Sequence, residues 1–166
     1  DIDNILPLIG MDKIWLDGLT LHKSNSKISI DLNGIAQGYT VDVLASFFES
    51  QKVDSYLVEL GGEIRVKGAK LGRNPYEISV ERPFGEQSSN LIVYLSNLGI
   101  TTSGNYRNFF QHQGKTIHHH IDPKTGYPIQ NNVISATVIA PTAMEADAYD
   151  NVFMALSPLD GIALAN

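Results

Sequence analysis

Asp147 and Asn151 lie four residues apart in a stretch that starts like a helix, so their side chains share one edge of it. Both supply oxygen, and oxygen donors at this spacing suit a hard cation such as Mg²⁺ completed by phosphate oxygens and water. A solvated helix edge, with Asp150 on the same polar surface, has the same pattern. Upstream, Asp31-Leu32-Asn33-Gly34-Ile35-Ala36-Gln37-Gly38 ends a strand-like run and opens a helix. Free N–H groups there would favour a phosphate or diphosphate, although an ordinary strand-to-helix turn reads alike. The run is neither a P-loop nor a dinucleotide fingerprint. Leu60-Gly61-Gly62-Glu63 marks either a bulge or a close backbone approach. His118-His119-His120 precedes a tight turn, Ile121 to Pro128. On a strand His118 and His120 share a face, which suits a two-histidine metal site, one catalytic imidazole, or a surface cluster without a role.

The elements that must position these residues follow from periodicity. Lys13-Ile14-Trp15-Leu16 and Leu19-Thr20-Leu21 flank an Asp17-Gly18 hairpin signal. Lys27 to Leu32 alternates as a half-buried strand does. Val41, Leu44, Ala45 and Phe48 form one helical stripe. Tyr56–Leu60, 63–66, Tyr76–Val80, Leu91–Leu95, 117–121 and 133–140 read as further strands. Thr142-Ala143-Met144-Glu145 is a capping box that opens a helix running to about Leu156, with Met144, Ala148, Val152, Ala155 and Leu156 toward the core. Ser157-Pro158 reads as the start of a third helix. Many short strands with two or three helices predict an α+β fold with a mostly antiparallel sheet.

Composition narrows the classes. The 166 residues are 43% hydrophobic and 18% charged, enough for one domain with a core. Cysteine is absent, which excludes disulfides, thiolate metal ligands and a cysteine nucleophile. Twelve Lys and Arg against 18 Asp and Glu give a net charge of −6, against a nucleic-acid binder. No apolar run of membrane-spanning length or signal peptide is visible. The chain opens Asp1-Ile2-Asp3 without Met and closes on an apolar Ile162 to Asn166, so the ends look cut from a longer polypeptide.

In order along the chain, five segments resemble the ApbE family of flavin transferases: 31–39 (its Asp-Leu-Gly-Gly-Ile-Ala-Lys-Gly-Tyr), 57–64 (its Gly-Gly strand), 101–106 (Thr-Ser-Gly-Asp/Asn-Tyr), 119–126 (His-x-Ile-Asp-Pro-Arg/Lys-Thr-Gly) and 141–148 (Pro-Thr-Ala-Met-x-Ala-Asp-Ala). The resemblance covers nearly the whole chain from about Ile5. It implies a T-fold-like α+β domain over residues 1–166 that holds FAD and a metal and lacks the family's N-terminal segment. It implies Mg²⁺-dependent transfer of FMN from FAD to a Ser or Thr of a flavoprotein subunit in a membrane redox complex, through a phosphoester, with release of AMP. An FAD-binding protein without transfer, and an FAD hydrolase giving FMN and AMP, are the alternatives. The family location implied is periplasmic or cell-envelope, lipid-anchored in the full-length protein. Residue by residue, the resemblance gives the metal to Asp147, Asn151 and the Ala36 carbonyl, and catalytic roles to His119 and Asp147. It gives FAD contacts to Gly34, Gln37, Gly38, Glu59, Gly61, Gly62, Thr102, Ser103, Gly104, His119 and Thr125, with 102–104 read as a turn. The chain departs from the pattern at Asn33 (for Gly), Gln37 (for Lys) and Asn151 (often Thr).

Overall fold

A computed structural model of the chain describes residues 2–70, 72, 74–83, 90–106, 109–112, 115–118 and 120–165. In order, the elements are α1 (Ile2–Ile5), β1 (Ile14–Asp17), β2 (Thr20–Lys23), α2 (Ala36–Ser50), β3 (Tyr56–Leu60), β4 (Glu63–Lys67), β5 (Tyr76–Val80), β6 (Leu91–Leu95), β7 (Gly99–Gly104), β8 (Phe109–His112), β9 (Lys115–His118), β10 (Ser135–Ala140), α3 (Ala143–Ala155) and α4 (Pro158–Ala165). This is the α+β class that the pattern of strands and helices predicts. Every strand pair is antiparallel. Among the described residues no helix is long and apolar enough to cross a membrane.

The chain divides into two compact units. The first comprises Asp1–Asp31 and Asn108–Gln130. It holds the β1–β2 and β8–β9 hairpins. Asp17 pairs with Thr20, so Gly18 and Leu19 form the turn, one residue later than the Asp-Gly signal suggests. Gly18 takes φ +59°, a conformation that glycine adopts without a Cβ penalty.

The second unit comprises Leu32–Arg107 and Asn131–Asn166. Its four-stranded sheet has the order β10-β7-β4-β3. Register assigns the two faces. Tyr56 and Val58 on β3 lie opposite Lys67 and Arg65, and Arg65 lies opposite Gly99. With alternation along each strand, Glu63, Arg65, Gly99, Thr101 and Ser103 therefore share a face with Tyr56 and Val58. That face packs on α2 through Val41, Ala45, Tyr56, Val58 and Ala143. The other face presents Val66 and Ile100 to Ile78 and Leu95 of the β5–β6 hairpin.

Two close approaches seat α3. A Cβ on Gly38 of α2 would come within 2.5 Å of the Ala143 carbonyl, and one on Gly99 of β7 within 2.6 Å of the Ala143 nitrogen. Only glycine lets both backbones reach the start of α3. That start is doubly capped. Thr142 Oγ1 accepts the Glu145 N–H at 3.1 Å, as the capping box predicts. The Asp42 carboxylate of α2 accepts the Ala143 and Met144 N–H groups at 3.0 and 2.9 Å. Ser157 likewise caps α4, accepting the Asp160 N–H at 3.2 Å.

Four expectations are corrected. Lys27–Leu32 forms no strand: Ile28 bonds back to Asn25, and its carbonyl accepts the Lys23 ammonium, so no ladder partner is engaged. Residues 102–104 are the end of β7, not a turn, because their backbone pairs with β10. The strand read at 117–121 stops at His118, and Ile121 makes a single bridge to Pro128. On α3 the buried face carries Ala143, Ala146, Asp147, Asp150 and Met154, while Met144 and Val152 are exposed. That face meets Glu63, Thr101 and Ser103 on the sheet rather than an apolar layer.

Asp42→Ala removes both charged caps of α3. Unfolding in urea should show a loss of about 2 kcal/mol, and an unchanged midpoint would contradict the capping role.

Candidate functional site

The second unit gathers the carboxylates Glu63, Asp147 and Asp150 with Asn151 and Ser103. Asp147 is buried at 4% exposure, and its Oδ2 accepts the Gly38 N–H at 3.0 Å. Helix α2 begins at Ala36, so Gly38 lies inside its first turn. Asp147 on α3 therefore caps α2, as Asp42 on α2 caps α3. Nearby, the Ile35 and Ala36 N–H groups bond to Leu32, and that of Tyr39 bonds to Ile35. These four donors are therefore not free for an anion. A carboxylate already occupies the positive end of the helix, where it satisfies a donor and offsets the dipole.

Asp150 is 2% exposed, not part of a solvated surface. Its Oδ1 accepts the Ser103 hydroxyl at 3.0 Å and the Asn151 amide at 3.1 Å. Asn151 Nδ2 also donates to the Asp147 carbonyl at 2.9 Å and lies 3.5 Å from Asp147 Oδ1. The edge shared by Asp147 and Asn151 is thus as the spacing predicts. A Cβ on Gly34 would sit 3.7 Å from Asn151 Nδ2, which places the glycine-rich segment beside that amide.

Burial dominates the electrostatics. It raises the Asp147 pKa against the opposing Gly38 N–H. It pushes Asp150 up to about 6, with the Thr101 and Ser103 hydroxyls opposing and the charges of Asp147 and Glu63 adding to the rise. Glu63 is raised by burial as well, and the Asp147 and Glu59 charges reinforce it. Among the described residues Glu63 Oε2, which is buried, has no hydrogen-bond partner. Among the described residues, none of the three carboxylates forms an ion pair.

The remaining site residues separate into groups. Gln37 sits over the Gly61-Gly62 turn, where a Cβ on Gly61 would collide with its amide nitrogen and lie 3.3 Å from Glu63 Oε2. Gly61 and Gly62 take φ +70° and +114°. Glu59 is exposed on β3, opposite Ile64. Thr102 is exposed on the opposite sheet face from Ser103, with its hydroxyl 2.9 Å from that of Thr137. Gly104 pairs with Ser135. The Ala36 carbonyl accepts the Thr40 hydroxyl at 2.7 Å. In the first unit Thr125 donates to Asp122 at 3.2 Å within the expected tight turn, which the 2.7 Å Gly126-to-Asp122 bond closes. His119 lies outside the described residues. His118 pairs with Phe109 at the end of β9, and the His120 carbonyl accepts the Ile129 N–H.

Sequence reasoning missed Asp150 and Glu63 as members of the cluster. Asp150 follows Asp147 by three residues, a spacing that shares a helix face, and Glu63 follows the Gly-Gly pair directly.

The antiparallel α+β frame of the chain is found among solved protein structures. The sequence model of the ApbE family matches residues 1–166, and the chain belongs to that family. It is 44% identical over 145 residues to a FAD:protein FMN transferase of Haemophilus influenzae, covering 84% of this chain and 42% of that protein. It is 39% identical over 159 residues to a FAD:protein FMN transferase of Vibrio cholerae, covering 95% and 48%. The crystal structure of the Pseudomonas stutzeri flavinyl transferase ApbE in its apo form superposes with a TM-score of 0.88 at 36% identity, over 99% of this chain and 50% of that one. The chain thus spans about half the length of these relatives.

The raised Asp150 carboxyl gives a signed pH effect. The fold favours its protonated form, so its contribution to stability is complete below about pH 4 and is lost as pH rises through about 6. Asp150→Asn keeps an acceptor and cannot titrate. With divalent cations chelated, its melting temperature relative to the parent should climb by several degrees from about pH 4 to about pH 7.5. Parallel curves would contradict the assignment.

Proposed function

We propose that the protein is a Mg²⁺-dependent FAD:protein FMN transferase, which attaches FMN through a phosphoester to a Ser or Thr of an acceptor flavoprotein and releases AMP. The observation that carries this reading is the buried Asp147 carboxylate, set between the first turn of α2 and the Asn151 amide without a cationic partner among the described residues. The family membership and the transferase names of the relatives support the reaction.

The residues fit a divalent cation. Burial raises three neighbouring carboxyl groups, and among the described residues Glu63 Oε2 has no hydrogen-bond partner. A cation held beside them would offset charge that burial leaves uncompensated. Among the described residues no group of three or more His, Asp or Glu is placed to hold a metal ion. The donors would be Asp147, Asn151 and the Ala36 carbonyl, with phosphate oxygens and water completing the shell, as is usual for Mg²⁺. The Ala36 carbonyl would exchange the Thr40 hydroxyl for the ion. When bound, Mg²⁺ would neutralise charge on the FAD diphosphate and on the departing AMP.

The chain's own residues would admit and orient the flavin nucleotide. Gly34, Gly61 and Gly62 carry no side chain to bar its approach, and the Ser103 hydroxyl is held in place by Asp150. In the transfer step the acceptor hydroxyl oxygen bonds to the FMN phosphorus. The anhydride P–O bond breaks, and AMP leaves with the bridging oxygen. The hydroxyl proton passes to a base, for which His119, at the family's histidine position, and Asp147 are the candidates. The acceptor would be a flavoprotein subunit of a membrane redox complex. The family resemblance also supports a periplasmic or cell-envelope setting with a lipid anchor on the full-length polypeptide.

The full-length protein, incubated with FAD, Mg²⁺ and an acceptor domain, should yield a fluorescent acceptor band on a denaturing gel. Asp147→Ala should slow transfer by about a hundredfold or more, since a Lewis-acid contribution is several kcal/mol. No labelling at saturating FAD would overturn the reading, and free FMN with AMP in the absence of acceptor would assign water as the acceptor. Parental rates in the variant would refute the role of Asp147.

A further inference from the structure

The Asn151 amide has one orientation that chemistry permits. Its nitrogen faces three oxygens: the Asp147 carbonyl at 2.9 Å, Asp150 Oδ1 at 3.1 Å and Asp147 Oδ1 at 3.5 Å. A carbonyl and two carboxylates are acceptors. Turned end for end, the amide oxygen would face the same three oxygens without a hydrogen. The nitrogen therefore stays on these acceptors, and Oδ1, the atom a hard cation would use, is left out of the contacts with them.

Any asparagine at this helix position could reach the carbonyl four residues back. What this chain adds is Asp150. Its carboxylate is 2% exposed, and its Oδ1 also accepts the Ser103 hydroxyl of β7 at 3.0 Å. The same oxygen is thus pinned by the sheet while it pins the amide.

We propose that Asp150 is a positioning residue, which anchors the Asn151 amide nitrogen to Ser103 of β7 and so presents the Asn151 oxygen to a divalent cation. This rests on the metal reading above. It also explains how Asn can serve where the family often has Thr: a hydroxyl has no end-for-end ambiguity, whereas an amide needs an acceptor to fix it. Asp150 itself makes no contact with the cation in this account.

The test is Mn²⁺ affinity, measured by electron paramagnetic resonance on the purified full-length protein without flavin. A further set of variants is made in an Asn151→Thr background, and thermal melting checks the folding of each. Asp150→Leu, similar in shape but lacking an acceptor, should weaken binding about tenfold, as loss of a partner that orients a metal ligand does. Asp150→Asn keeps the acceptor and should stay within about threefold. In the Asn151→Thr background, Asp150→Leu should change affinity by less than about twofold. Asp150→Ala, run beside Asp150→Leu, preserves the comparison should the leucine variant fail to fold.

Equal weakening by Asp150→Asn and Asp150→Leu would show that only the charge of Asp150 matters and would overturn the proposal. An equal loss in the Asn151→Thr background, or no loss anywhere, would overturn it as well. In each of these cases a parent protein that binds Mn²⁺ leaves the metal reading standing. A parent that binds no Mn²⁺ overturns both.

Discussion

Two helices hold each other by their N-termini. Asp42 of α2 accepts the first N–H groups of α3, and Asp147 of α3 accepts the Gly38 N–H in the first turn of α2. The contact needs backbones close enough to touch, which Gly38 and Gly99 permit. The two carboxylates differ in consequence. Asp42 is half-buried and keeps access to water, whereas Asp147 is drawn into the interior and becomes harder to ionise. The clasp that builds the fold therefore also makes a buried anion with one committed oxygen.

The rest of the site follows from that geometry. With α3 seated by its start, its inward face lies over the polar strip of the sheet. Asp150 then meets Ser103, and Glu63 lies near enough to Asp147 for their charges to interact. The Ile35, Ala36, Gly38 and Tyr39 N–H groups at the start of α2 are already engaged, so they are not free for an anionic ligand. A diphosphate arriving beside these buried acids would be repelled unless a cation came with it. In the proposed reaction the cation would thus serve binding as well as chemistry.

Local features are legible in the chain. The Thr142 cap, the Ser157 cap and the spacing of Asp147 and Asn151 need only their own neighbours, and the structure reproduces all three. Features set by distant pairing are not. Asp150 looks solvated because its hydroxyl partner Ser103 is 47 residues away. Thr102-Ser103-Gly104 has the composition of a turn, yet its backbone completes a ladder with β10. Lys27–Leu32 alternates without a strand to pair with, so its pattern has no structural outlet. The inward face of α3 is hidden for the same reason: its apolar residues suit a core, but the surface awaiting them carries Glu63, Thr101 and Ser103.

In the function proposed above, an anionic flavin nucleotide reaches this site through a divalent cation held at Asp147. Calorimetric titration of FAD into the full-length protein, with Mg²⁺ and with a chelator, tests it most directly. The account predicts binding with Mg²⁺ that weakens by an order of magnitude or more when the cation is removed, and that loses its dependence on Mg²⁺ in Asp147→Asn. Equal FAD affinity with and without the cation would contradict it.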